Sequence, residues 1–525
     1  MAARIDAFLS RNFKIIILVI SALVLGIAYA YFALRVVSRG QAEYYVGVLG
    51  IFSLALLILT FWLLKTHRLA FEQVFLIMLC GMGLVYMVMF APLKAPDEAK
   101  HYCAAYRYSN VLLGYGFDGN SSSMHMRADD YDFFTYWKGD IENVTDDYVA
   151  ERDQLTGTVT NGTVSLYKTY YLSNLGRPPQ EHICAAVGLA LGRLLGLDAL
   201  LTYYVGRLTA FLAFAALAYC AVKVTPIAKP AFATIFLLPR TLELATSFSY
   251  DGPIIVLSVL FVACCLSSIL RSDALHWYEP ARLALLAFLL TPCKVVYALV
   301  IPLVFFIPQK RFSTPLVGYL IKGGIVAVAV ASFLVWSLGN VSSMAAPHAA
   351  TGTTPAKYSF ADMLRRPFHT LKLFCKTIFE PTKEELMLSG QIREIFGWRL
   401  ANHGSVHGPW SATAAFMLLF TTSVLSEKHE SRITPLLRVS CIVLAFVATV
   451  GIYTSMLLGF SAATSTWIHG IQGRYFIPLL PLVIIACTGL KRLHLADVSR
   501  PALLMSVLWV NLYYAGWLFA DILFR

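Results

Sequence analysis

Apolar stretches of 17–22 residues recur from one end of this 525-residue chain to the other, and each is long enough to cross roughly 30 Å of hydrocarbon as a helix. Within a bilayer a segment must satisfy its own backbone N–H and C=O groups, which restricts single spans to helices. Only 14% of the residues are charged and 58% are hydrophobic, whereas a soluble chain carries about a quarter charged residues. The expected fold is an all-α polytopic membrane protein. Candidate spans are 14–33, 46–64, 73–91, 203–222, 231–247, 252–270, 283–293, 295–307, 316–337, 409–425, 439–458, 475–490 and 502–523. That is a bundle of about 11–13 helices, because 283–293 and 295–307 are each too short to cross alone and read as a tight or broken hairpin, with Pro292 and Lys294 at the junction and the tip at the outer side. The first run is too long for a signal peptide and lacks a small-residue cleavage site, so it reads as a retained helix.

The net charge of +12 does not point to nucleic acid. The basic residues sit in short loops between apolar runs, where they set orientation: Arg4, Arg11 and Lys14, then Lys65 and Arg68, Lys223 and Lys229, Lys310 and Arg311, Lys428, Arg432 and Arg438, and Lys491 and Arg492. Placing all of them in the cytoplasm gives one consistent alternation. The N-terminus is then cytoplasmic, and the two long polar segments 92–182 and 338–408 lie outside. Five regions follow: N-terminal helices at 1–91, a first outer loop with interfacial helices at 92–202, central helices at 203–337, a second outer loop at 338–408 and C-terminal helices at 409–525. Segment 183–197, apolar but short and interrupted by Arg193, suits an interfacial helix better than a span. The acidic and aromatic loop before it reads as a folded cap. Most of the ten cysteines fall inside apolar runs and behave as small hydrophobes; Cys103, Cys184 and Cys375 face the oxidising side without a spacing that dictates a disulfide.

The candidate chemistry starts at the first long exit from the membrane, Ala95-Pro96-Asp97-Glu98-Ala99-Lys100-His101. Pro96 suits a helix start, which would place Asp97 and Glu98 in the first turn and His101 on their face. A helix N-terminus keeps carboxylates ionised, available as a base or as ligands for a divalent metal together with His101. Plain helix capping explains the same residues. Lys294, between two apolar half-helices, is costly at the bilayer centre by about 2.5–3.5 kcal/mol and must meet an anion or snorkel to the surface. Arg474, in Ile471-Gln472-Gly473-Arg474-Tyr475-Phe476, offers a planar fork suited to phosphate, or serves as an interfacial anchor beside Tyr475. Asp251, at the head of 252–270, either caps that helix or lines a site. His403 and His407 are four residues apart, but Gly404 and Gly408 argue for a loop there rather than a metal-binding helix. No Walker loop, GxSxG elbow or Rossmann fingerprint is present, so ATP-driven transport and serine hydrolysis lack their usual signals.

Four signatures occur in order: Pro96-Asp97-Glu98-x-x-His101, Ser249-Tyr250-Asp251, Lys294-x-x-Tyr297, and Ile471-Gln472-Gly473-Arg474-Tyr475-Phe476-x-Pro478. Together they resemble a bacterial family of predicted membrane proteins catalogued as domain of unknown function 2142, over about residues 75–490. That family is similar to the GT-C class of membrane glycosyltransferases, whose donor is a sugar on a polyprenyl phosphate. The resemblance implies a bacterial plasma-membrane enzyme that works on the extracytoplasmic side, with a lipid-linked sugar donor, a glycan acceptor and membrane lipids as partners. Carried over, Asp97 is the base or a metal ligand that orients it, with Glu98 the alternate and His101 beside them. Lys294 and Arg474 bind the donor phosphate, and Asp251, Tyr297, Gln472 and Tyr475 line the cavity. Asp97, Lys294 and Arg474 are expected to converge there. Two other readings stand: a lipid-linked glycan polymerase or ligase with a longer donor, and a transporter or flippase, which should show inverted repeats and discontinuous helices at mid-membrane. No repeat is evident in the sequence.

Overall fold

A computed structural model describes residues 2–37, 42–66, 68–115, 124–138, 163–166, 178–336, 356–380, 387–401, 404, 406–427, 433–489 and 498–524. The helices in chain order are α1 (Ala2–Val36), α2 (Ala42–Thr66), α3 (Phe71–Met89), α4 (Glu98–Leu112), α5 (Ala128–Trp137), α6 (Ile183–Leu194), α7 (Ala199–Val224), α8 (Lys229–Leu237), α9 (Pro239–Ala245), α10 (Asp251–Leu270) and α11 (Tyr278–Leu290). After a 3₁₀ helix at Val295–Phe306 come α12 (Pro315–Trp336), α13 (Phe360–Arg365), α14 (Pro367–Phe379), α15 (Leu388–Ile395), α16 (Trp410–Leu425) and α17 (Pro435–Phe460). A further 3₁₀ helix, Gly473–Leu479, runs into α18 (Leu480–Cys487), and α19 (Arg500–Phe524) follows. Strands among the described residues are confined to two short antiparallel pairs, β1 (Met124–Arg127) with β2 (Thr163–Leu166) and β3 (Arg399–Leu400) with β4 (Val406–His407).

Among the described residues, eight helices are long and apolar enough to cross a membrane: the apolar part of α1, then α2, α3, α7, α10, α12, α17 and α19. This is a multi-pass membrane protein. The 283–307 region is broken as expected, two further expected spans are interrupted, and prolines lie at these breaks. The 231–247 run divides where Leu238 becomes extended (φ −64°, ψ 138°) before Pro239, since a residue preceding proline is pushed out of the helical region. The 295–307 run is 3₁₀ throughout and contains Pro302. The 475–490 run begins as 3₁₀ around Pro478 and turns α-helical only at Leu480. Such backbone is tolerated where protein surrounds it.

Helix α10 is the central post, with every residue from Ile254 to Leu270 buried. On one flank α1, α2 and α19 are joined by the Tyr29 hydroxyl, which donates to the Leu512 carbonyl at 2.9 Å and meets Ser53 at 2.8 Å. Two clusters mark opposite ends of the bundle. At one end Lys229 reaches Glu72 at 3.4 Å, and Arg311 clamps Glu279 at 3.0 Å while donating to the Ser268 carbonyl at 2.7 Å. A cavity of about 510 Å³ opens there, lined in part by Lys223, Lys229, Arg271 and Asp273. The other end holds the C-terminus of α3, the N-terminus of α10 and Gly473. The two ends are about 30 Å apart, from a rise of 1.5 Å per residue along the 20 residues of α10.

Beside that second end the described residues of the first polar segment pack with α7 and the turn before α10 into a second core, in which Tyr102, Phe133, Phe134, Trp137, Tyr203 and Phe248 are buried together. Arg127 grips Asp130 at 2.7 and 2.9 Å, and Tyr106 donates to the same carboxylate at 2.6 Å. Helix α6 lies beside it, with Ile183, Val187, Leu191 and Leu194 exposed along one stripe. None of the ten cysteines forms a disulfide.

Candidate functional site

The chain leaves α3 through a loop whose backbone is held in two costly conformations. Leu93 (φ 62°) and Asp97 (φ 56°) are both left-handed, a region that a side chain such as leucine rarely adopts and that costs about 1–3 kcal/mol. Tyr203 helps to fix the first by accepting from the Leu93 N–H at 2.9 Å. The helix starts at Glu98, with Asp97 as its N-cap residue, so the expected first turn begins one residue late. The Asp97 carboxylate makes no cap bond and is directed into the cluster instead.

Glu98 has a different fate from the one expected of an alternate base. It is 1% exposed and forms a two-pronged pair with Arg207 at 3.0 Å on each oxygen. It also accepts from the Tyr203 hydroxyl at 2.8 Å and from the backbone N–H of Phe248 and of Ala95, each at 3.1 Å. Arg207 in turn donates to the Met87 and Phe90 carbonyls at the end of α3. Glu98 therefore pins α4, α7, the α3 exit and the turn before α10 together, with both of its oxygens engaged by these partners.

Asp97, Asp251, Lys294, Tyr297, Arg474 and Tyr475 come together, although they are drawn from four separate stretches of chain. Arg474 is 1% exposed. Its Nη2 donates to Asp97 at 2.9 Å and its Nε lies 3.1 Å from Asp251. Its Nη1 is buried with no hydrogen-bond acceptor among the described residues. Lys100 takes the other Asp97 oxygen at 2.8 Å. Lys294 sits 3.6 Å from the ring centre of Tyr475 and 5.8 Å from those of Tyr250 and Tyr297, a cation held against aromatic faces. The Tyr297 hydroxyl donates to the Tyr475 carbonyl at 2.8 Å, tying the two broken helices together. Gln472, half-buried, precedes the turn and accepts from the Tyr475 N–H through its carbonyl at 3.1 Å.

The approach of Arg474 depends on Gly473. A Cβ there would collide with the Gln391 carbonyl and the Glu394 side chain. Glu394 accepts from the Gly473 N–H at 2.9 Å and pairs with Arg240 at 2.6 Å, and Arg240 also holds Glu243 at 2.8 Å. Gly473→Ala should thus misplace Arg474 and lower the melting temperature, as read by thermal unfolding in detergent; an unchanged melting curve would show that Glu394 gives way.

His101 is buried against Tyr250, with ring centres 4.5 Å apart, and against His182 at 5.2 Å. His182 is 3.5 Å from Glu181. Among the described residues no three His, Cys, Asp or Glu side chains form a group able to hold a metal. The expected Asp97–Glu98–His101 set is not one, because Glu98 is turned away onto Arg207. His403 lies outside the described residues.

Burial raises the proton affinity of Asp97, but Arg474 and Lys100 outweigh it and hold the carboxyl well below the usual carboxylate range. A lowered folded value stabilises the fold above the unfolded aspartate value, about 3.9, and this contribution is lost as the pH falls through the folded value. The melting temperature of Asp97→Asn should therefore sit slightly below that of the wild type at neutral pH, because the group is one-third exposed and screened. The gap should narrow below about pH 4. A gap independent of pH would remove the ion pair as its cause.

The sequence reading did not single out Arg207, Glu394, Arg240, Glu243 or His182, and it gave no role to Lys100 or Tyr250, although both stand in the motifs quoted above. Arg207 and the Arg240–Glu243 pair each interrupt an apolar run, and intramembrane charges of that kind signal a buried partner.

A family model described as predicted membrane protein (DUF2142) matches residues 80–483, from the second half of α3 to α18. The cluster lies wholly within it. No curated protein and no solved structure matches the chain.

Proposed function

The chain belongs to the DUF2142 family of predicted membrane proteins, and we propose that it transfers a sugar from a polyprenyl-phosphate donor to a cell-surface glycan, on the extracytoplasmic face of a bacterial plasma membrane. The observation that carries this reading is the cluster itself: a carboxylate that reaches the surface, Asp97, beside two cations, Arg474 and Lys294, at one end of the bundle. A lipid-borne phosphate presents its head group at the end of the spans, where these groups sit.

The chemistry is a displacement at the anomeric carbon. The acceptor hydroxyl forms the new C–O bond, the bond to the phosphate oxygen breaks, and the departing lipid phosphate keeps the electron pair. Arg474 and Lys294 hold the charge that develops on it. The hydroxyl proton goes to Asp97. In the resting arrangement Asp97 is a poor base because Arg474 and Lys100 hold its charge. A phosphate on the guanidinium competes with Asp97 for Nη2 and uses the free Nη1, so donor binding raises the proton affinity of Asp97 at the moment a base is needed.

One observation favours a second reading. The 3₁₀ segments Val295–Phe306 and Gly473–Leu479 both border the cluster, and interrupted helices around a site are a device of transporters. The charges nevertheless lie at the helix ends and not at mid-depth, which suits surface chemistry.

The test is transfer from labelled polyprenyl-phosphate sugars by the purified protein in nanodiscs, with Lys294→Gln beside the wild type. Enzymatic turnover is expected in the wild type and a loss of about 10²–10³-fold in Lys294→Gln. Movement of intact donor across sealed vesicles, without turnover, would replace the enzyme with the transporter.

A further inference from the structure

Helix α14, in the second polar segment, carries two opposed faces. Thr370, Leu373 and Thr377 are buried, one turn apart, against the rest of the protein. The Thr377 hydroxyl accepts from the Ile468 N–H at 3.0 Å, and just upstream the Tyr358 N–H donates to the Ser461 carbonyl at 3.0 Å. On the opposite side Phe368, Leu371 and Phe379 are 86%, 61% and 71% exposed, with Cys375 exposed between them. Their spacing of three and four residues makes one continuous stripe. Leu364, 65% exposed, extends it into α13.

An apolar stripe of this length is unusual on a face turned to water. Its flank is basic: Arg365, Arg366 and Lys372 are exposed, and Lys376 packs on Trp467 at 4.3 Å. The two acidic residues described on this stretch, 356–380, are already engaged. Asp362 caps its own helix through Ser359, and Glu380 lies 3.7 Å from Lys376. The docked face sits on residues 461–468, which follow directly on the last residue of the spanning helix α17. The stripe is thus at the depth where a span meets the head groups.

We propose that α13 and α14 lie in the head-group layer, with the Leu364–Phe379 stripe among the acyl chains and the basic flank on anionic lipid phosphates. Apolar insertion together with basic flanking residues is the physical recipe for an interfacial helix, and each basic residue near an anionic surface adds to the attraction. The same segment leads into α15, whose Glu394 holds Gly473 next to Arg474. A helix seated in lipid would hold that support at a constant height relative to the bilayer. This inference does not depend on the sugar-transfer reading.

The test places a nitroxide at Leu371→Cys in a background where Cys184, Cys220 and Cys375 are serine. The full-length protein is reconstituted in nanodiscs of phosphatidylcholine alone and of equal parts phosphatidylglycerol and phosphatidylcholine. The expected result is a label reached by oxygen several-fold better than by a water-soluble nickel chelate, and more so with phosphatidylglycerol. Arg365→Glu with Lys372→Glu should abolish that lipid dependence. A label reached freely by nickel in both discs overturns the proposal. So does a label shielded from both reagents only when two copies share a disc, which would assign the stripe to a second chain. Equal depth in both lipid compositions, unaffected by charge reversal, overturns the selection of anionic lipid.

Discussion

Asp97→Asn is expected to lower sugar transfer by about 10²–10⁴-fold, the usual contribution of a positioned general base, while the protein still folds. The change keeps the shape of the side chain and removes its charge and its proton affinity. Arg474 loses one ion pair but keeps Asp251 at 3.1 Å, so the buried guanidinium is not abandoned. The geometry also shapes the pH profile. With Asp97 held by Arg474 and Lys100 in the free protein, the acid limb of kcat/KM should lie at low pH. If the donor phosphate takes over Arg474, the acid limb of kcat should lie higher, because kcat reports the bound complex. Steady-state rates across pH with saturating and limiting donor would measure both limbs. Coincident limbs would mean that Asp97 keeps its partners during the reaction and acts by electrostatics alone; full activity in Asp97→Asn would remove it from the mechanism.

How far the cluster was legible in the chain follows from what makes a residue conspicuous. Asp97, Lys294 and Arg474 stand out because each is a charge next to a long apolar run, and the cost of an isolated charge in hydrocarbon points to a common meeting place. The structure brings the three together. Asp251 was ambiguous between cap and site, and it pairs with Arg474 as the first residue of α10. Glu98 could not be told from Asp97 by spacing, since both are acids before the same helix. The difference lies in the left-handed turn at Asp97 and in Arg207, 109 residues away, and neither leaves a local signal that separates the two acids. The same limit applies to Glu394, which reaches Gly473 across 79 residues.

The helical class was readable throughout, because hydropathy reports it segment by segment. The number of full spans was not. Hydropathy treats 231–247 and 475–490 as ordinary apolar runs, while Pro239 and Pro478 divert the backbone within them; only 295–307, which holds Pro302, shows its break in its length. These interruptions matter to the site, since two of them deliver Lys294, Tyr297, Arg474 and Tyr475. A continuous α-helix at 473–487 would also need a glycine less badly than the observed turn, where the backbone of Gly473 packs directly on α15.

Glu98→Gln should behave unlike its neighbour: the expected result is a loss of about 3–5 kcal/mol of stability, as when one partner of a buried pair is removed. Arg207 would keep its charge at 1% exposure with only an amide oxygen opposite, and the second amide group would face the backbone N–H of Ala95 as a donor meeting a donor. Four elements lose their common anchor at once, so the damage should appear as poor yield and a lowered melting temperature in detergent, with transfer falling only in step with folded protein. Adding Arg207→Met to Glu98→Gln should recover part of the stability, because the uncompensated charge is then gone. That recovery separates an ion-pair defect from a catalytic one. If Glu98→Gln instead folds with an unchanged melting temperature and loses transfer outright, the two acids exchange roles, and the base belongs on the first residue of α4.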